Sequence, residues 1–303
     1  MSPATWEGIC EVVKNEMATR VWPVVTPISL SADLNRGWAH GTGSYLSLRG
    51  EPYLLTNEHV VAEAVGFHLA HLPGPTNDYC LCNTTILTDA WPIDVALTRL
   101  PKAPGGLGRE VLPASIFDRS FAPVEGELLF WLGFPGSKAS RHEPITEANI
   151  HYSWFGKPLE VSGVPMLTQL FPATPVLLGF DPEKHVVLHY PSFAQSSAGG
   201  PLIDVPNPKG MSGSLLWDTK FVARTTAGNE WTSSDAKVCG LVWAAHSKPE
   251  VVVATKIEFI LPALVQFLRE ECAYFHWIDR GRPLGDALID WRCAEDEIPN
   301  LCD

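Results

Sequence analysis

Apolar residues recur at offsets of three and four near the start of the chain, where Trp6, Ile9, Cys10, Val13 and Met17 are interleaved with Glu7, Glu11, Lys14 and Asn15. That spacing predicts an amphipathic helix within residues 1–20. From Val21 the pattern shortens to Val21-Trp22-Pro23-Val24-Val25, Gly43-Ser44-Tyr45-Leu46-Ser47-Leu48 and Pro52-Tyr53-Leu54-Leu55-Thr56, with Gly, Pro or Asn between the runs. Such runs predict consecutive strands. Others lie at 64–70, 84–88, 93–99, 127–133, 175–180, 185–190, 213–217, 238–245 and 251–256, on either side of a Pro-rich stretch near 101–125. Two small β-barrels, over 21–125 and 126–256, or one large sandwich would fit this pattern. Helical spacing returns with Ile257, Ile260, Leu261, Leu264, Leu268 and Phe275, which predicts a closing helix over 257–278 with Pro262 tolerated near its start. Residues 279–303 contain Gly281, Pro283, Gly285 and the acidic run Glu295-Asp296-Glu297, and read as an acidic tail.

Composition narrows the function classes. A formal net charge of −12 without any basic run argues against a nucleic-acid or anionic-membrane surface. No stretch approaches the roughly 18 apolar residues of a membrane span, and the N-terminus lacks a basic-then-apolar leader. A cytoplasmic protein is expected. The seven cysteines show no Cys-x-x-Cys pair, so free thiols and no metal site are expected. Cys80 and Cys82 would share one face of a strand, but two ligands do not make a site.

Three short segments carry candidate chemistry. In Gly210-Met211-Ser212-Gly213-Ser214 a serine lies between glycines just before the apolar run Leu215-Leu216-Trp217. Glycine permits the backbone conformation in which the amides of Gly210 and Ser212 can face one developing oxyanion. In Leu54-Leu55-Thr56-Asn57-Glu58-His59-Val60-Val61 an imidazole follows an apolar strand, and in Trp91-Pro92-Ile93-Asp94-Val95-Ala96-Leu97 one carboxylate interrupts another. A carboxylate there is costly to desolvate unless something donates to it, and a histidine N–H is a suitable donor. Taken singly, the segments fit a tight turn, a structural histidine and a water-facing strand residue. Together they supply nucleophile, base and orienting carboxylate in the order His, Asp, Ser. An α/β-hydrolase esterase would run Ser, Asp, His with a helix after its nucleophile.

Thr56-Asn57-Glu58-His59-Val60-Val61, Asp94-Val95-Ala96-Leu97 and Gly210-Met211-Ser212-Gly213-Ser214 resemble the three signatures of chymotrypsin/trypsin-like serine proteases of the PA clan. The Thr-Asn-x-His-Val form is most similar to bacterial HtrA-like members. Gly41-Thr42-Gly43-Ser44-Tyr45 is similar to the strand those proteins place before the histidine, and Leu132-Gly133-Phe134-Pro135-Gly136 to the opening of their second barrel. The resemblance covers roughly residues 20–270, with insertions expected between about 138 and 200. It implies a mainly all-β fold of two perpendicular six-stranded β-barrels with an N-terminal and a C-terminal helix. His59 and Asp94 would come from the first barrel and Ser212 from the second.

The same resemblance implies a serine endopeptidase that forms an acyl-enzyme on Ser212, with His59 as base, Asp94 as its orienter and Gly210 and Ser212 amides as the oxyanion hole. No metal or organic cofactor is implied. The partners would be a protein or peptide substrate and a regulatory protein, without nucleic acid or membrane. A catalytically silent protease-fold module that docks a protein partner is the alternative from a different class.

Departures from the family sharpen these expectations. Met211 stands where zymogen-activated members carry an aspartate that receives a newly cut N-terminus, so that activation route is not expected. Gly240-Leu241-Val242 replaces the Gly-x-His of glutamate-preferring members, and the peptide-binding domain of HtrA-like proteins is not expected after the closing helix. By resemblance the substrate pocket is walled by Pro206, Asn207, Trp243, Ala244, Ala245, Val251 and Val253. That set predicts cleavage after small to medium uncharged residues. Asp204, two positions before Pro206, would favour Lys or Arg if it reached the pocket floor.

Overall fold

In the computed structural model, residues 3–33, 36–62, 68–71, 80–82, 84–102, 104, 109–136, 139–140, 149–154, 157–194 and 202–301 are described. The first helix, α1 (Pro3–Val21), buries Val13, Met17 and Val21 at successive i, i+4 positions against the main core. The predicted run 21–25 is the end of this helix and a short 3₁₀ turn, and the first strand begins at Val25.

The first sheet holds β1 (Val25–Asp33), β2 (Arg36–Leu48) and β3 (Glu51–Thr56), then, after α2 (Glu58–Ala62), β4 (His68–His71), β5 (Cys80–Leu81), β6 (Ile86–Asp89), β7 (Val95–Arg99) and β8 (Leu112–Pro113). Its order is β5-β4-β1-β2-β3-β7-β6, with β8 pairing parallel to β2. Six longer strands, β1, β2, β3, β4, β6 and β7, match the expected number, and the two-residue strands β5 and β8 add to the edge of β4 and to β2. Next come β9 (Leu129–Gly133), the small sheet β10 (Ala139–Ser140), β11 (Asn149–Trp154) and β12 (Lys157–Ser162), then β13 (Val164–Thr168) and β14 (His185–His189). A two-stranded ribbon, β15 (Phe193–Ala194) and β16 (Ile203–Asp204), precedes β17 (Leu215–Asp218), the short helix α3 (Phe221–Thr226), β18 (Lys237–Ser247) and β19 (Glu250–Lys256). The second sheet runs β13-β9-β17-β18-β19-β14, and a bridge between Leu170 and Leu188 brings its two edges together. The fold is mainly β: two curled, largely antiparallel sheets with helices at both ends of the described chain.

Continuous apolar runs make sense once both faces of a strand are covered. In β9, Leu129 and Trp131 pack inside the second sheet, whereas Phe130 and Leu132 point to the layer between sheets and helices. The same alternation divides Leu216 from Leu215 and Trp217 in β17, and Leu54 from Tyr53 and Leu55 in β3. The closing helix α4 (Ile257–Asp279) buries Ile257, Ile260, Leu264 and Leu268 against that shared layer, so one helix braces both sheets. Among the described residues, no helix is long and apolar enough to cross a membrane.

One expectation fails. The run 175–180 forms no strand, and Val176 and Leu178 are exposed. The acidic tail contains a second helix, α5 (Ala287–Glu297), fixed on α4 by Arg280, whose Nε and Nη2 donate to the buried Asp290 carboxylate at 2.7 and 2.6 Å. Ile298 and Leu301, just beyond it, join the main core. Residues 64–67 of a predicted strand and the small-residue run 195–200 lie outside the described residues.

Candidate active site

β3 ends at Thr56, and one buried residue later the chain turns into α2, which carries His59 in its first turn. Asp94 precedes β7 with φ 54°, a left-handed conformation that aspartate tolerates better than β-branched residues. Its carboxylate is enclosed and doubly satisfied. Oδ2 accepts from His59 Nδ1 at 2.7 Å, and Oδ1 accepts from the His59 main-chain N–H at 3.0 Å. With the proton held on Nδ1, Nε2 is left with its lone pair. Asn57 fixes the other side of the turn by donating Nδ2–H to the Asp94 carbonyl at 2.7 Å. The Asp94 side chain is 7% exposed and that of His59 37%, so the carboxylate is shielded while the imidazole edge remains accessible.

Ser212 lies in the loop before β17, between two glycines with positive φ: Gly210 at 98° and Gly213 at 90°. A Cβ on Gly213 would stand 1.9 Å from the Thr42 carbonyl oxygen, so only glycine fits. Thr42, from β2 of the first sheet, grips this loop at two points and ties it to Phe134, just after β9. Its amide donates to the Ser212 carbonyl at 2.8 Å, its hydroxyl donates to the Gly210 carbonyl at 2.9 Å, and the same hydroxyl accepts from the Phe134 amide at 3.0 Å. The amides of Met211, Gly213 and Ser214 are taken up by the carbonyls of Pro208, Val242 and Met211. Those of Gly210 and Ser212 have no protein acceptor among the described residues, as donors kept for an incoming oxyanion would. A Cβ added at Gly41 would lie 2.7 Å from Val60 and 3.5 Å from the Ser212 carbonyl, so a single glycine separates the histidine's helix from the serine loop. The Ser212 hydroxyl itself donates to the Trp243 carbonyl at 3.3 Å.

Beside Ser212 opens a cleft of about 500 Å³, lined by Pro206, Asn207, Trp243, Ala244 and Ala245, with Trp131, Tyr190 and Met211 as apolar walls. Two expected residues are displaced. Val252 lines the cleft, whereas Val251 and Val253 are fully buried away from it, because successive strand side chains face opposite ways. Asp204 is exposed on β16 and does not reach the cleft; the carboxylate that does is Glu250, which accepts from the Ser192 hydroxyl. Burial pushes the Tyr190 phenol up to about 12, and this neutral hydroxyl donates to the Pro206 carbonyl at 2.6 Å. Met211 is buried inside the second sheet. A larger hollow of about 830 Å³ beside α1 contains none of the candidate catalytic residues, so size alone does not mark the site.

Thr42, Asn57 and His185 were given no role from sequence. His185 Nδ1 accepts from the Asp181 amide at 2.9 Å, which leaves Nε2–H to donate to the Pro92 carbonyl at 2.8 Å. Trp91 Nε1 donates to the Gly179 carbonyl at 2.9 Å beside it. These contacts tie the turn before Asp94 to the second sheet, and burial lowers the His185 pKa. The only signal for Thr42 was its place between Gly41 and Gly43, and for Asn57 its place in the histidine motif. One further group of potential metal-binding side chains, Cys272, His276 and Glu297, lies on α4 and α5, away from this site.

A family profile described as "Protein of unknown function (DUF2934)" matches residues 270–299. No curated protein matches the chain. Similar solved structures include the MamO protease domain from Magnetospirillum magneticum, with 13% identity and a TM-score of 0.41 over 79% of this chain and 95% of that one. Tobacco etch virus protease complexed with product has 11% identity and a TM-score of 0.39, covering 78% and 73% of the two chains. Tobacco vein mottling virus protease has 9% identity and a TM-score of 0.41, covering 78% of each. With scores this low, the fold assignment rests on the strand order and on the paired sheets themselves.

Proposed function

We propose that the chain is a serine endopeptidase acting through Ser212, His59 and Asp94. The observation that carries this function is the enclosed Asp94 carboxylate, which accepts from both Nδ1 and the main-chain N–H of His59. A structural aspartate needs neither that double bond nor an imidazole with an accessible edge. In the proposed reaction His59 Nε2 takes the Ser212 proton as Oγ attacks the scissile carbonyl, after Oγ leaves the Trp243 carbonyl. The amides of Gly210 and Ser212 then receive the oxyanion. His59 returns its proton to the leaving amine, and water, activated by the same base, releases the acyl group.

The apolar walls of the cleft favour a small to medium uncharged side chain before the cleaved bond. Glu250 is exposed and engaged with Ser192, which makes it a weak site for Lys or Arg selection. The HtrA-like character of the motifs, a protein or peptide substrate, control by a protein partner and a cytoplasmic setting belong to the same proposal. Labelling with a fluorophosphonate tests it. Wild-type protein should be modified on Ser212 alone and Ser212→Ala not at all; labelling that persists in Ser212→Ala, or none in the wild type, overturns it.

A further inference from the structure

The hairpin of α4 and α5 gathers a second set of chemistry-bearing side chains. α4 carries Cys272 and His276 one turn apart, and α5 carries Cys293 and Glu297 at the same spacing. Residues four apart share a helix face, so α4 can offer two donors to one point. The donor atoms of Cys272, His276 and Glu297 lie within 4.8 Å of one another. Cys272 Sγ is 3.4 Å from Glu297 Oε2. His276 Nε2 is 2.9 Å from Glu297 Oε1, yet this buried nitrogen has no hydrogen-bond partner, so its approach to the carboxylate lacks bonding direction. Two groups this close without a bond between them are suited to a third body.

Distances and mechanics fit a cation there. With zinc bonds of about 2.0–2.3 Å, tetrahedral ligands stand about 3.3–3.8 Å apart. Cys272 Sγ and Glu297 Oε2 are already at 3.4 Å, and His276 Nε2, at 2.9 Å from Oε1, would need to move out by a few tenths of an ångström. The helices are pinned on both sides of the cluster. Arg269 Nε donates to the Ile298 carbonyl at 2.9 Å, and Arg280 clasps Asp290. Cys272, His276 and Glu297 all fall between these pins. Cation binding would release the Cys272 thiol proton to solvent.

We propose that this hairpin is a structural site for a zinc-class divalent cation, held by Cys272 Sγ, His276 Nε2 and a Glu297 oxygen, with the fourth position left to water. The cation would lock α5 onto the helix that braces both sheets. All three residues lie within the 270–299 stretch matched by the family profile.

The test uses untagged, full-length Ser212→Ala protein, so its outcome is independent of proteolysis. Protein stripped with a chelator is titrated with Zn²⁺ and with Co²⁺, following bound metal, the cobalt spectrum and thermal unfolding. One ion per chain, a thiolate-to-cobalt charge-transfer band and a raised unfolding temperature are expected. Cys272→Ser should weaken binding at least tenfold while leaving the circular dichroism unchanged. The proposal is overturned if stripped protein takes up no metal, if the cobalt complex shows no thiolate band, or if Cys272→Ser binds as tightly as the parent.

Discussion

The two sheets bring their parts of the candidate site to different states of completion. In the first, His59 and Asp94 are joined by two hydrogen bonds, and Asn57 holds the aspartate's own carbonyl, so base and orienter are assembled within one sheet. In the second, the Ser212 hydroxyl rests on the Trp243 carbonyl at 3.3 Å, and its loop is held both by Val242 of its own sheet and by Thr42 from the opposite one. The proposed base is therefore held within one sheet, whereas the proposed nucleophile also depends on how the sheets dock. Changes within the first sheet should alter the chemistry of the base; changes at the cross-sheet contacts should alter alignment.

The largest effect expected is from Ser212→Ala, which should lower peptide turnover by roughly six orders of magnitude while leaving thermal unfolding nearly unchanged. A residual rate within tenfold of wild type would remove Ser212 from the mechanism. Asp94→Asn comes next. It keeps the shape of the turn but favours the wrong imidazole tautomer, and turnover should fall by roughly 10⁴ with little change in KM. A loss below tenfold would mean that the couple in the first sheet does not act on the base.

Much of this arrangement was legible in sequence where the relevant physics is local. Glycines around Ser212 announce positive φ, and a carboxylate inside an apolar run announces a buried partner, so the three catalytic candidates could be named from short segments. Thr42 could not be named in that way, because its hydroxyl meets a carbonyl 168 positions away. The run Pro175-Val176-Leu177-Leu178 has the composition of a strand but finds no partner, and hydrophobicity alone cannot supply one. α5 was missed for the opposite reason. Its anchors are the buried acid Asp290 and the small Ala294, which leave no apolar stripe for periodicity to detect.

Thr42 distinguishes alignment from chemistry. Thr42→Val removes the hydroxyl bonds to Gly210 and Phe134 but keeps the backbone bond to Ser212. Leaving buried polar groups unpaired costs about 1–3 kcal/mol, so kcat should fall roughly ten- to a hundredfold, and Thr42→Ser should restore it. An unchanged kcat in Thr42→Val would show that the nucleophile loop aligns without this cross-sheet grip.

The smallest effect expected is at His185, the other tie between the sheets. Its Nδ1 accepts from Asp181 and its Nε2–H donates to Pro92, an arrangement available only to the neutral ring. Burial holds its pKa below the ordinary value, so the unfolded chain binds this proton more readily than the folded one. The tie is therefore fully present above the ordinary histidine range, near pH 6.5, and weakens as the pH falls below it towards the lowered folded value. Loss of one such link is worth about 1 kcal/mol, or roughly fivefold in the docked population. Folded-state stability of the Ser212→Ala protein, measured by urea unfolding between pH 7 and about 5, should drop less in His185→Gln than in the His185 parent, because glutamine does not titrate. Equal pH dependence in the two proteins would show that protonation of His185 does not govern this second tie.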